Sequence, residues 1–189
     1  QGPDIDDNAV ATLFNKLDLL SDGDILILAG SIPSSLPSDI YEKILQRISN
    51  KSVKAIVDAT NDLLLNVLKY RPFLIKPNNH ELGEMFGVEL KTDLEIETYA
   101  RKLQDMGAVN VLVSMAGDGA MLIDENGVTH RCGVCKGKVK NSVGAGDSMV
   151  AGFTAGIQNR DYEYALKLGT AAGGATAFSD GLAKKEKIK

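Results

Sequence analysis

Val10, Leu13, Phe14, Leu17 and Leu20 recur at helical spacing and predict an amphipathic helix over 8–20, which Asp22-Gly23 ends. The run Asp24-Ile-Leu-Ile-Leu-Ala-Gly30 is apolar without a break and strand-sized, the pattern of a parallel-sheet strand buried on both faces. Proline and serine make 31–37 a loop, and Ser38 or Asp39 can cap a helix whose apolar stripe is Ile40, Ile44, Leu45 and Ile48. The alternation goes on. A strand over 53–60, a short helix over 63–68 and a strand over 73–76 that stops at Pro77 lead to a short helix, 80–86, closed by Gly87. A longer helix over 95–106 ends at Gly107, and 109–115 is again a buried-type strand. Segments 120–124 and 128–131, joined by Glu-Asn-Gly, predict a hairpin, and helices over about 147–158 and 161–178 follow.

Alternating strands and helices, with strands apolar throughout, predict an α/β fold with helices on both faces of the sheet. No linker, repeat or low-complexity stretch divides the 189 residues, so one structural unit is expected. At 44% hydrophobic and 24% charged, the chain is neither disordered nor a coiled coil. The formal charge is −4, and Lys184–Lys189, with four lysines and one glutamate, supplies +3 of it. The remainder is acidic, which speaks against a nucleic-acid partner; the lysine-rich end reads as the solvated start of a helix. No apolar run reaches membrane-span length, and Gln1-Gly-Pro-Asp-Ile opens no signal peptide. Two cysteines are no disulfide scaffold, so a cytoplasmic location without a membrane partner is expected. Glycine departs from the ordinary: 14 of the 19 lie after residue 100. Special backbone geometry is therefore expected in the second half.

In open α/β sheets ligands bind beyond the carboxyl ends of the strands, which directs attention to the loops after 30, 60, 76, 115 and 141. Asn141-Ser-Val-Gly144-Ala-Gly146-Asp147-Ser148 opens a helix, so backbone N–H groups and the helix's positive end converge where an anion can sit. Asp147 would repel that anion unless it serves as a proton acceptor; the alternative is a plain Gly-Asp helix cap. Lys76, Asn78 and Glu81 follow a strand and either meet phosphate and Mg²⁺-bound waters or simply cap the 80–86 helix. Ser114 to Gly119 either admits a nucleotide close to the backbone or is an ordinary connection between strands. Gly173-Gly174 marks a closely approached backbone, at a ligand or at another helix. Ser31 stands at a strand end, His80 reads as a helix-surface residue, and Cys132-Gly-Val-Cys135 near His130 reads as structural because a fourth metal ligand has no source.

Val143-Gly-Ala-Gly-Asp-Ser-Met-Val-Ala-Gly-Phe153 resembles the C-terminal signature of the ribokinase-like carbohydrate kinases, the phosphofructokinase B group. Lys76-Pro-Asn78-Asn-His-Glu81 resembles that family's Asn-x-x-Glu motif, and Ser114-Met-Ala-Gly117-Asp-Gly119 its nucleotide loop. The resemblance implies a ribokinase-like three-layer α/β/α fold with a mostly parallel sheet, and ATP-dependent phosphorylation of a sugar phosphate. Together with Ala29-Gly-Ser-Ile-Pro-Ser-Ser-Leu-Pro37, the signature looks most like the branch that converts D-fructose 1-phosphate to the 1,6-bisphosphate, with tagatose-6-phosphate kinases as close relatives. It implies Asp147 as the base at the sugar hydroxyl and the amides of Gly144, Ala145 and Gly146 as the anion hole. It further implies ATP contacts at Lys76, Asn78, Ser114, Gly117, Gly119 and Gly174, a water-mediated Mg²⁺ contact at Glu81, and a sugar-phosphate contact at Ser31. A monovalent cation such as K⁺ would lie near 141–143 and 176–181. Family members are longer, with N-terminal strands and a lid through which they commonly form homodimers. Residues 1–189 are thus expected to be the C-terminal nucleotide-binding and catalytic portion of one such domain. The alternative is a non-catalytic nucleotide-binding module that lacks the sugar half.

Overall fold

The computed structural model of the protein describes residues 4–159 and 161–188. Among the described residues, seven α-helices and six strands follow one another as α1 (Asp7–Asp18), β1 (Ile25–Ala29), α2 (Ile40–Arg47), β2 (Lys54–Asp58), α3 (Asn61–Val67), β3 (Leu74–Ile75), α4 (Asn79–Phe86), α5 (Asp93–Asp105), β4 (Asn110–Ser114), β5 (Ala120–Ile123), β6 (Thr129–Cys132), α6 (Ala145–Gly156) and α7 (Tyr162–Ala177). The six strands form one sheet in chain order, β1 to β4 parallel and β5 and β6 antiparallel as the expected hairpin. Among the described residues, no helix is long and apolar enough to cross a membrane.

Chain order in the sheet decides where the helices go. Successive right-handed crossovers that all step the same way place their helices on the same face. Accordingly Ala55, Val57, Ile75, Val111 and Val113 point into one core with residues of α1 to α5. Their strand neighbours Ile56, Leu74 and Leu112 point the other way, into a second core with Met149, Val150, Phe153, Ala165 and Leu166 of α6 and α7. The period-2 alternation of side chains thus gives each central strand two buried faces, and the layers are helix, sheet, helix.

β1 departs from the expectation of burial on both faces. Leu28 is buried, but Ile27 is 43% exposed. β1 is an edge strand, and on the face of the α6–α7 layer only Ile25 joins the core, by partial packing. Asp39 departs as well: it precedes α2 without a capping hydrogen bond and pairs instead with Lys43 at 2.8 Å. The lysine-rich end forms a short 3₁₀ turn over Lys185–Lys187.

The hairpin is fastened by Asp124, only 3% exposed. Its Oδ1 accepts the N–H groups of Asn126 at 2.8 Å and Val128 at 2.9 Å, and its Oδ2 lies 2.9 Å from His130 Nε2. Burial pushes this carboxyl up, but the bonds to His130 and to the two N–H groups hold it below its ordinary value. A folded-state pKa below the unfolded one contributes stability above the unfolded value, and the contribution is lost as pH falls through the folded value. We therefore expect Asp124→Asn to lower the unfolding free energy by about 1 kcal/mol near neutral pH, a difference that fades in acid. Denaturant unfolding of both proteins across pH checks this.

Candidate active site

β2 ends on Asp58, and Lys76 follows its neighbour β3, so the parallel pairing of these strands brings two opposite charges together. Lys76 Nζ lies 3.1 Å from Asp58 Oδ1, the lysine side chain 8% exposed and the carboxylate 18%. A Cβ at position 146 would stand 3.3 Å from Lys76 Nζ, so the first turn of α6 rests almost on the ammonium. Burial raises the Asp58 carboxyl above its ordinary value; Lys76 opposes this, and the carboxylates of Asp147 and Glu81 are close enough to add to it. Asp58 thus pairs with the buried ammonium while two further carboxylates lie near enough to act on it.

α6 begins without a side-chain cap, because its N-cap is Gly144 in the left-handed region at φ +79°. The Ala145 N–H donates to Ser142 O at 3.1 Å. Among the described residues, the N–H groups of Gly144, Gly146 and Asp147 have no acceptor. The three amides expected to form an anion hole are therefore unlike: two are free, Ala145 is engaged, and Asp147 offers a third free donor. The Asp147 side chain itself is exposed and makes no capping bond; it stands in the first turn of α6, beyond the N-cap Gly144.

Asn78 and Glu81 do form a capping box on α4. Asn78 Oδ1 accepts the Glu81 N–H at 2.9 Å, and Glu81 Oε2 accepts the Asn78 N–H at 2.8 Å. Glu81 Oε1 has no partner among the described residues. The cap thus fixes the carboxylate and leaves one oxygen for a ligand.

A cavity of about 510 Å³ runs from this corner under α7. Lys76, Asn78, Ser114, Gly117, Gly119, Ala145, Gly146 and Gly174 line it, and Val134, Val139 and Phe178 add apolar wall. An amphipathic ligand, charged at one end and flat and apolar at the other, suits such a lining. Gly144, Asp147 and Glu81 are not in its wall. Ser31 is exposed beyond β1, next to Gly30, whose N–H donates to Asp58 O at 3.0 Å; it lies one strand further from the cavity than Asp58. His80 is exposed on α4 and reaches the cavity rim.

The glycines sort by what surrounds them. Gly117 has open space where a side chain would be, whereas a Cβ at Gly119, at φ +91°, would collide with the Cys132 carbonyl oxygen. Gly174 has nothing nearer than 3.8 Å, whereas a Cβ at Gly173 would stand 3.0 Å from Ala145 O in α6. Gly117 and Gly174 therefore leave room for a ligand; Gly119 and Gly173 are required by the fold. Cys132 packs against the α6–α7 core, Cys135 is exposed, both are free thiols, and His130 is held by Asp124.

The pattern of pfkB family carbohydrate kinases matches residues 1–188. The chain belongs to the pfkB family. Over its whole length it is 47% identical to 1-phosphofructokinase of Bacillus subtilis (strain 168), of which it spans 62%. It is 36% identical to D-tagatose-1-phosphate kinase of Bacillus licheniformis, again spanning 62%. Escherichia coli phosphofructokinase-2 in complex with fructose-6-phosphate superposes with a TM-score of 0.89 at 25% identity, over 99% of this chain and 61% of that one. The same enzyme in complex with potassium gives 0.88 at 25%, over 97% and 61%. The chain thus spans about 62% of the length of its curated relatives, and the ribokinase-like α/β/α fold of the pfkB family is the one it adopts.

Sequence reasoning singled out no residue at Asp58. The only signal was a carboxylate closing the apolar run Lys54-Ala-Ile-Val-Asp58, and its significance depends on Lys76 ending the adjacent strand. The two nearby glycines of the 114–119 loop make a direct test. We expect Gly119→Ala to cost about 1–3 kcal/mol, while Gly117→Ala stays within about 0.5 kcal/mol of the parent. Thermal unfolding without ligand checks both.

Proposed function

We propose that the full-length protein containing this chain transfers the γ-phosphoryl group of ATP to a sugar phosphate, D-fructose 1-phosphate in the first instance. One observation carries the reading: free N–H groups at the uncapped start of α6, a buried ammonium against the same turn, and Asp147 on that turn. Phosphoryl transfer asks for charge stabilisation and positioning more than for covalent chemistry, and this corner supplies both. The N–H groups of Gly144, Gly146 and Asp147 donate to the phosphoryl oxygens, and Lys76 offsets their charge. Asp147 accepts the proton of the attacking sugar hydroxyl. The adenine end of ATP lies in the cavity past Gly117 and Gly174, against Val134, Val139 and Phe178.

The donor set also fits Mg²⁺. Asp58, Glu81 and Asp147 outnumber the one ammonium among them, so the corner is net negative before any ligand arrives. Glu81 Oε1 and Asn78 would hold waters of the ion, and the ion when bound neutralises charge on the phosphates. A monovalent cation such as K⁺ is proposed near 141–143 and 176–181. There the N–H groups of Lys140 and Asn141 both donate to Ala177 O, at 2.8 and 3.2 Å, tying the two segments together. The potassium complex of the Escherichia coli relative supports that reading.

D-Tagatose 1-phosphate is the second reading for the substrate, favoured by the Bacillus licheniformis relative. Tagatose 6-phosphate stays a further alternative beside it. A kinase of this kind works where ATP and sugar phosphates are held, and we place it in the cytoplasm.

The test is ATP- and Mg²⁺-dependent phosphorylation of fructose 1-phosphate, tagatose 1-phosphate and tagatose 6-phosphate by the full-length protein. Turnover of none of them, with ATP binding intact, would instead identify a nucleotide-binding module. We expect Asp147→Asn to lower kcat by about 10³-fold while the Kd for ATP, read by calorimetry, stays within about 3-fold. Gly174→Val should do the reverse to binding, raising that Kd by about 10-fold or more through lost space, with the melting temperature held. Near-normal turnover in Asp147→Asn would end its assignment as the base.

A further inference from the structure

Lys76 is a flexible side chain in a place that needs a fixed charge. Its ammonium has three donors, and among the described residues Asp58 is its one partner, at 3.1 Å. Asp58 is well anchored: it closes β2 in register with Ala29, and its own carbonyl accepts the Gly30 N–H at 3.0 Å. Position 146 reports how tightly the group is set, since a Cβ there would stand 3.3 Å from Lys76 Nζ, 3.5 Å from its Cε and 3.9 Å from Asp58 Oδ2. The carboxylates of Glu81 and Asp147 lie close enough to act on Asp58, and so near the lysine it holds. A lysine free of Asp58 can swing to either one, and pairing with Asp147 would make that carboxylate a poorer proton acceptor.

We propose that Asp58 is a positioning residue, which holds the Lys76 ammonium against the start of α6 and keeps it off Asp147. The inference rests on the kinase reading above and adds a residue that acts only through Lys76. It separates two uses of a carboxylate at this corner, since a group that served a metal ion or the substrate directly would act independently of the lysine.

The experiment is a double-mutant cycle in the full-length protein: Asp58→Ala, Lys76→Met and both together, with Asp58→Asn beside them. Asp58→Ala is expected to lower kcat by about 10-fold or more, with the KM for sugar phosphate changed by less than about 3-fold. Asp58→Asn keeps an acceptor oxygen at the same place and should recover most of that loss. In the Lys76→Met background, Asp58→Ala should cost no more than about 2-fold. Effects that multiply overturn the proposal, as does a raised Mg²⁺ requirement in Asp58→Ala that Lys76→Met lacks. Absence of turnover in the unmutated protein is a failure of the kinase reading alone. The same cycle is then run on ATP affinity, where multiplying effects again overturn the proposal. Should Asp58→Ala fail to fold, the cycle is completed with Asp58→Ser, which also removes the carboxylate and whose effect must likewise vanish once Lys76 is replaced.

Discussion

The site depends on how closely α6 can lie against α7. A Cβ at Gly152 would stand 2.7 Å from Leu168 O, one at Gly156 would stand 2.7 Å from Ala165 Cα, and one at Gly169 would stand 2.8 Å from Met149 O. Both helices therefore approach backbone to backbone. The separation places Phe153 fully inside the core beneath Ile56, Leu74 and Leu112, and it leaves the first turn of α6 over the ends of β2 and β3. Wider spacing would lift Gly146 off Lys76. The glycine excess of the second half thus has two origins. Gly117, Gly144, Gly146 and Gly174 belong to the candidate site, whereas Gly152, Gly156, Gly169 and Gly173 serve helix packing.

Elements were legible in the sequence wherever one contiguous pattern determined them. The stripe of α2 and the apolar runs of β2 and β4 state their own burial, because period decides which face meets the core. β1 is apolar throughout while β4 starts on Asn110 and ends on Ser114, yet it is Ile27 that is exposed, because burial there depends on what lies over the strand and not on the strand itself. Caps show the same limit. Asp6 and Asp161 accept the N–H groups of Ala9 and Tyr164, while Asp39 turns to Lys43. Asp39 alone has a lysine four residues on, where Asp6 and Asp161 have Val10 and Ala165.

The candidate site divides along the same line. Motifs made of neighbouring residues, such as 76–81 and 144–147, could be read as units. The Asp58–Lys76 pair could not, since it exists only because β2 and β3 are adjacent and parallel. Gly173 and Gly174 are alike in sequence and opposite in role, one against α6 and one at the cavity, because successive helix positions point about 100° apart.

Helix termini give the strongest physical reason to regard the start of α6 as a binding place. α1 and α7 are capped by aspartates, and α4 and α5 by full capping boxes at Asn78–Glu81 and Thr92–Glu95. Such a cap contributes about 1 kcal/mol; among the described residues four helices have it, while α2, α3 and α6 do not. At α6 the chain has glycine instead, donors without acceptors, and a buried ammonium whose one partner is Asp58. An anion meeting these N–H groups, with a cation at the carboxylates, would supply the stabilisation that a side-chain cap gives the other four helices. Free donors, a fixed ammonium and a nearby carboxylate are what the proposed phosphoryl transfer asks of this corner.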